Sequence, residues 1–189
     1  RAMTLKNAMA GLPHGGAKAV IVGDPAQPRP QKERLLRAFA QAIRDLREYI
    51  PGPDMGTDET CMAWVRDEIG RAVGLPEELG GIPLDQVGAT GWGLFHAIQV
   101  AHEHLRRPLQ GARVVVQGFG AVGSHAARYL AEAGALLVGV CDIGAAIHDP
   151  RGLDVAKLLA LRAAGRPVAD YPGVRALERD AVIDMECEI

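Results

Sequence analysis

Ala112-Arg113-Val114-Val115-Val116-Gln117-Gly118-Phe119-Gly120-Ala121-Val122-Gly123 is the stretch from which the rest of the chain is read. Its first half is a near-continuous apolar run, of the kind that a parallel sheet buries on both faces. The run passes into a Gly-x-Gly-x-x-Gly turn and then into a helical pattern with Ala126, Ala127, Leu130 and Ala131 on one side. A second strand, Ala135 to Cys141, ends at Asp142. Strand, glycines, helix, strand and terminal acid in one short unit specify a dinucleotide site of Rossmann-like build.

Each part has a physical task. Gly118 makes the tight turn, Gly120 admits a pyrophosphate to the backbone, and Gly123 lets helix and strand pack closely. The helix opening at Ala121 and Val122, just after Phe119 and Gly120, offers N–H donors and the positive end of its dipole to phosphates. Asp142, nineteen residues past Gly123, is placed to accept ribose hydroxyls. An acid there repels a 2′-phosphate, and Ile143-Gly144 bring no arginine to bind one, so NAD is favoured over NADP.

Working outward toward the N-terminus, Ala89-Thr90-Gly91-Trp92-Gly93 opens a helix that runs through Leu94, Ile98, Ala101 and Leu105 to Arg107-Pro108. Within it, His102-Glu103-His104 invites a metal reading, but histidines two apart point to different helix faces, so surface polarity is expected and no metal. Glu77 to Val87 has Gly80-Gly81 and Pro83 and no clear period. It reads as a connection, dividing the chain into residues 1–87 and 88–189.

In the first part, Leu12-Pro13-His14-Gly15-Gly16-Ala17-Lys18 stands out, with Lys6 twelve residues before Lys18. The glycine pair permits close approach of backbone and ligand, and two amines could converge there on a small anion. The plainer alternative for Lys18 is the solvated first residue of a strand, because Lys18 to Val22 is a β-branched run closed by Gly23-Asp24-Pro25. From Gln31 a helix is expected, with Leu35, Leu36, Phe39, Ala42, Ile43 and Leu46 at helical spacing. The loop Ile50 to Asp58 leads into a helix at Glu59, with Met62, Val65, Ile69 and Val73 as its stripe and a stop near Gly74. Thr57 or Asp58 can cap that helix. Asp54 has no such job, and an unassigned carboxylate on a rigid loop is a catalytic candidate.

Composition narrows the classes. The 189 residues are 48% hydrophobic and 23% charged, which is globular, and the net charge of −2 provides no basic field for nucleic acid or an anionic membrane. Three cysteines, far apart and in no CxxC arrangement, fit a reducing compartment, and no stretch is apolar enough to span a bilayer or act as a signal region. The expected location is the cytoplasm. Arg1 opens in what reads as mid-element and Met185 to Ile189 close without a capping residue, so both domains read as truncated.

Met3-Thr4-Leu5-Lys6-Asn7-Ala8, the Leu-Pro-x-Gly-Gly-x-Lys ending at Lys18, Gly23-Asp24-Pro25, Pro53-Asp54-Met55-Gly56-Thr57, Ala89-Thr90-Gly91 and Gly118 to Gly123 occur in this order. Together they resemble the glutamate/leucine/phenylalanine/valine dehydrogenases. The resemblance implies an α/β fold in which a Rossmann-like dinucleotide-binding domain and a partial α/β substrate-binding domain close over a cleft. It implies reversible oxidative deamination of an L-amino acid to a 2-oxo acid and ammonium, and a homo-oligomer. Carried over, Lys6 holds the substrate carboxylate with Met3 beside it, and Lys18 activates water and stabilises the carbinolamine and iminium. Asp54 shuttles protons, Gly52 lines the side-chain pocket, and Thr90 contacts the nicotinamide carboxamide. Lysine serves as a base near neutral pH when burial and a neighbouring cation, here Lys6, depress its pKa. Gly23-Asp24-Pro25 looks like the leucine and phenylalanine branch and Ala89-Thr90-Gly91 like the glutamate branch, so the amino acid stays open. The other reading is a silent, dehydrogenase-like subunit that binds nucleotide or amino acid and regulates a partner.

Overall fold

Apolar periodicity and glycine placement account for most of the elements in the computed structural model, which describes residues 1–24 and 26–189, with Asp85 described by its backbone alone. Pro25, assigned above to a turn, lies outside the described residues. Contacts divide the chain into two units, Arg1–Pro83 and Leu84–Ile189.

The first unit is helical. Helix α1 spans Ala2–Met9, α2 Arg29–Ala42 and α3 Glu59–Ile69. Helix α2 begins two residues earlier than expected, because Pro30 sits in its first turn, where a missing N–H costs nothing. Leu36 and Ala40 of α2 pack on Cys61, Met62 and Val65 of α3, with Trp64 and Ile69 at the margin. Of these, Leu36, Met62 and Val65 are each worth about 1.5–3 kcal/mol relative to exposure.

Asp58 caps α3 by accepting a hydrogen bond from the Cys61 N–H at 2.9 Å. The helix ends at Gly70, whose φ of 74° is left-handed, so Val73 leaves the stripe to which its spacing assigned it. Gly74 does something else: a Cβ there would come within 2.4 Å of the Pro53 ring. The Arg71 guanidinium donates to the carbonyls of Ile43, Arg44, Leu46 and Tyr49, tying together the turns that follow α2.

Lys18 to Val22 does not form the expected strand. The alternation survives, with Ile21 packed on the α2/α3 cluster and Val20 and Val22 86% and 96% exposed. No strand among the described residues of this unit lies beside it, and a strand needs a partner for its N–H and C=O groups.

The second unit carries the sheet. The connection before it holds a 3₁₀ turn, Glu77–Leu79, and a single helical turn, α4, Leu84–Val87. There follow α5 (Ala89–His104), β1 (Arg113–Gln117), α6 (Ala121–Glu132), β2 (Leu136–Cys141), β3 (Ala146–His148), α7 (Val155–Ala163) and β4 (Ala176–Leu177). Strand order is β1-β2-β3-β4, and only β1 and β2 run parallel. The parallel sheet expected from β1 therefore becomes a mixed one. A tight turn at Asp142 to Ala145 reverses the chain after β2.

Val114, Leu137, Val140 and Ile147 join Phe95 of α5, Ala127 and Leu130 of α6 and Leu158 of α7 in the main core. Val115 and Cys141 meet Val182 and Met185 in a second cluster. Strand β1 is thus not buried evenly on both faces: Val114 is buried, Val115 and Val116 half-buried. Glu188 and Ile189 hydrogen-bond along its other edge, through the Arg113 carbonyl and the Val115 N–H. His102, expected on the surface, is buried, because what packs around a helix position and not its polarity decides its exposure.

Candidate active site

In the first unit, α1 lies against the glycine pair. The Gly16 N–H donates to Thr4 Oγ1 at 3.1 Å, and Asn7 Nδ2 donates to the Gly15 carbonyl at 2.7 Å. Met3 packs on Gly16, where an added Cβ would meet the Met3 main chain. Two residues on, Lys18 Nζ forms an ion pair with Asp54 Oδ2.

The Asp54 loop is rigid for local reasons. The Asp54 N–H donates to Thr57 Oγ1 at 2.8 Å, the same hydroxyl donates back to the Asp54 carbonyl at 2.9 Å, and Asp54 Oδ1 accepts from the Met55 N–H. Behind it, the Val73 N–H donates to the Pro51 carbonyl, and a Cβ on Gly52 would press on Val73 at 3.0 Å. Gly52 is therefore a tight point of the loop. The Lys18 ammonium, the Met55 N–H and the charge of Lys6 hold the Asp54 carboxyl below its ordinary value, against a smaller opposing effect of burial. Lys18, and more weakly Lys6, thus both act on the Asp54 carboxylate. Lys18 is 60% exposed and Asp54 49%, so the burial expected around the lysine is not supplied within this unit.

The second unit builds its site from main chain. Gly118 ends β1 with a φ of 94°, where a side chain is strained, and its N–H donates to the Cys141 carbonyl. Phe119 turns its ring into the core, so it can offer a ligand only its backbone. Gly120 is the N-cap of α6 and faces open space, while a Cβ on Gly123 would lie 1.9 Å from the Gly118 carbonyl oxygen. The three glycines occupy the three situations that a pyrophosphate turn requires. No side chain caps the first turn of α6, around Ala121 and the exposed Val122, which leaves donors for an anion. Ser124 Oγ donates to the Gly120 carbonyl at 2.7 Å and steadies the turn from behind.

Thr90 lies exposed in the first turn of α5. A Cβ on Gly88 would meet the His125 ring at 2.4 Å and one on Gly91 would meet His125 Cβ at 2.7 Å, so α5 seats its N-terminus directly on α6. His125 is a residue that periodicity did not single out, and Thr57, read as a possible cap, serves the Asp54 turn instead. The Asp-x-x-Thr spacing of a side chain–backbone turn was the available signal for the latter.

Asp142 is more committed than expected. Its Oδ1 accepts from the N–H groups of Gly144 (2.8 Å) and Ala145 (3.1 Å), and Oδ2 accepts from Val168 (2.8 Å). Burial pushes its carboxyl up, but these three donors outweigh it and hold the carboxyl below its ordinary value. Four lone-pair positions less three leaves one acceptor site, on Oδ2, for a ribose hydroxyl. The glycine turn, the uncapped helix start and this remaining acceptor fit a dinucleotide. Among the described residues no group of His, Cys, Asp and Glu gathers in a way that could hold a metal, and no helix is long and apolar enough to cross a membrane.

Residues 80–189 match the family model described as glutamate/leucine/phenylalanine/valine dehydrogenase, and residues 1–71 match the dimerisation domain of the same enzymes. Among curated proteins, a glutamate dehydrogenase of Aeropyrum pernix is 35% identical over 99% of this chain and 48% of its own length. Glutamate dehydrogenase A2 of Halobacterium salinarum is 42% identical over 84% of this chain and 41% of its own length. Among solved structures, the hetero-hexameric glutamate dehydrogenase of Thermus thermophilus in its leucine-bound form superposes with a TM-score of 0.83 at 35% identity, over 98% of this chain and 47% of that one. The chain therefore spans under half the length of these relatives.

Proposed function

Because the chain belongs to the glutamate/leucine/phenylalanine/valine dehydrogenase family, we propose that this protein catalyses reversible oxidative deamination of an L-amino acid, with hydride transfer to NAD. The observation that carries the reading is the Lys18–Asp54 ion pair with the charge of Lys6 acting on the same carboxylate. The amino acid, oxidised nucleotide and water give the 2-oxo acid, ammonium, reduced nucleotide and a proton.

Bound NAD supplies the hydride acceptor. Lys6 anchors the substrate carboxylate, with Met3 beside it and the Gly52 loop facing the side chain. Once hydride has left the α-carbon, water adds to the iminium carbon. Lys18 takes the proton of that water, and Asp54 returns a proton to the departing nitrogen. The ion pair suits this exchange, since one proton moved from Nζ to Oδ2 converts ammonium and carboxylate into free amine and carboxylic acid. Thr90 contacts the nicotinamide carboxamide, and Gly118 to Gly123 hold the pyrophosphate. Asp142 holds the adenosine ribose and disfavours a 2′-phosphate.

The named relatives support glutamate as the first substrate to test. The reading extends to a homo-oligomer in the cytoplasm. It is tested by a spectrophotometric assay of the intact protein over glutamate, leucine, valine and phenylalanine, each with NAD and with NADP. NAD-dependent turnover, greatest with glutamate, is expected. Nucleotide binding without turnover on any of the four would replace the enzyme by a silent regulatory subunit.

A further inference from the structure

Residues 13–22 carry Lys18 without the support of a helix or a strand ladder. Besides the Lys18–Asp54 ion pair and the packing of Ile21 on the α2/α3 cluster, they are registered against the first unit by their contact with α1. A Cβ built on Gly16 would lie 2.2 Å from the Thr4 nitrogen and 2.3 Å from the Met3 carbonyl carbon, so the two main chains already touch. Two hydrogen bonds fix the contact laterally, from the Gly16 N–H to Thr4 Oγ1 and from Asn7 Nδ2 to the Gly15 carbonyl. Thr4 and Asn7 are three residues apart on α1, hence on one face, and Lys6, between them in sequence, leaves the same helix from another side.

We propose that Thr4 and Asn7 are positioning residues, a two-point clamp that sets the distance between the backbone origins of Lys6 and Lys18. The inference rests on the reading of Lys6 as carboxylate anchor and Lys18 as reacting amine. Both lysines have long, flexible stems, so the distance between their tips is only as defined as the backbone from which they start. With one bond of the clamp gone, the Gly15-Gly16 hinge can slide on α1, and substrate anchored by Lys6 no longer meets Lys18 in register. A displacement near 1 Å is enough to cost about 100-fold in rate.

The test uses the intact protein and the amino acid it turns over fastest, with wild type, Thr4→Val, Thr4→Ser, Asn7→Ala and Lys18→Ala compared in one series. Valine keeps the shape of threonine and removes the acceptor, whereas serine keeps it. Thr4→Val and Asn7→Ala are expected to lose about 10- to 100-fold in kcat/KM for the amino acid, through both kcat and KM. KM for NAD should stay within about twofold, and Thr4→Ser should recover most of the loss, as an interaction confined to the clamp requires. Wild-type kinetics in Thr4→Val and Asn7→Ala, or a loss shared equally by NAD binding and by the serine variant, would overturn the clamp while leaving the site reading intact. Full activity in Lys18→Ala would overturn the site reading and the clamp with it.

Discussion

Residues 12–22 and 117–123 each place a glycine-containing loop beside a helix, and they hold their functional groups in opposite ways. In the first loop the group is a side-chain amine, Lys18, on irregular backbone, kept in place by Thr4, Asn7 and the ion pair to Asp54. In the second they are main-chain N–H groups, kept in place by the strand that enters and the helix that leaves. A side-chain site can lose its chemistry and keep its fold. A main-chain site cannot be altered without moving the fold.

The sharpest way to break this contrast is Lys18→Ala in the intact protein. Removing an exposed amine should cost at least about 10³-fold in turnover, within the range of general acid–base and nucleophile-assisting groups. NADH binding, followed by fluorescence, and the melting temperature should stay near wild type. A large fall in melting temperature would show that Lys18 is architectural and erase the distinction.

Gly123→Ala probes the other loop. Its methyl group would press on the Gly118 carbonyl at 1.9 Å, so strand and helix must separate. A loss of about 1–3 kcal/mol in unfolding free energy is expected, as for overpacked cores, together with weaker NADH binding. A variant that binds NADH normally and melts with wild type would show the turn to be looser than its packing implies.

Asp142→Asn sharpens the comparison, because this side chain serves both a turn and a ligand. An amide nitrogen cannot accept from the Val168 N–H, and the unpaired donor should cost about 1–3 kcal/mol. The folded carboxyl lies below its ordinary value of 3.8. Its contribution is therefore complete above 3.8 and is lost as pH falls through the folded value. Acid unfolding followed by circular dichroism should show wild type losing its advantage over Asp142→Asn below 3.8. The ratio of NADP to NAD turnover should rise in the variant, since the charge facing a 2′-phosphate is gone.

What could be read from the sequence follows the same division. The β1-α6-β2 unit was legible because a strand, three glycines and an amphipathic helix signal locally, and each glycine has its own local reason: a positive φ at Gly118, open space at Gly120 and the Gly118 carbonyl against Gly123. The antiparallel β3 and β4 were not read, although Asp142-Ile143-Gly144 is a turn-forming triplet whose carboxylate accepts from two following N–H groups. Lys18 to Val22 was read as a strand because its residue types fit one, but strand formation depends on a distant partner that no local pattern reports. Gly74 drew the end of α3 too late because Gly70 already stops the helix and Gly74 serves Pro53 instead. Lys6, Lys18 and Asp54 were found by motif and do share one electrostatic neighbourhood. The roles of Thr4, Asn7 and His125 were not, since a hydrogen bond to a remote main-chain group, or a ring under a glycine, leaves no periodic trace.

The alternation of Ile21 inward with Val20 and Val22 outward has a practical side. An extended segment outside any strand ladder among the described residues, with two exposed valines, is a template on which another chain can add. The first unit should tend toward concentration-dependent aggregation through residues 17–22. A lysine in place of Val22 is the substitution to try first when solubility limits the experiments above.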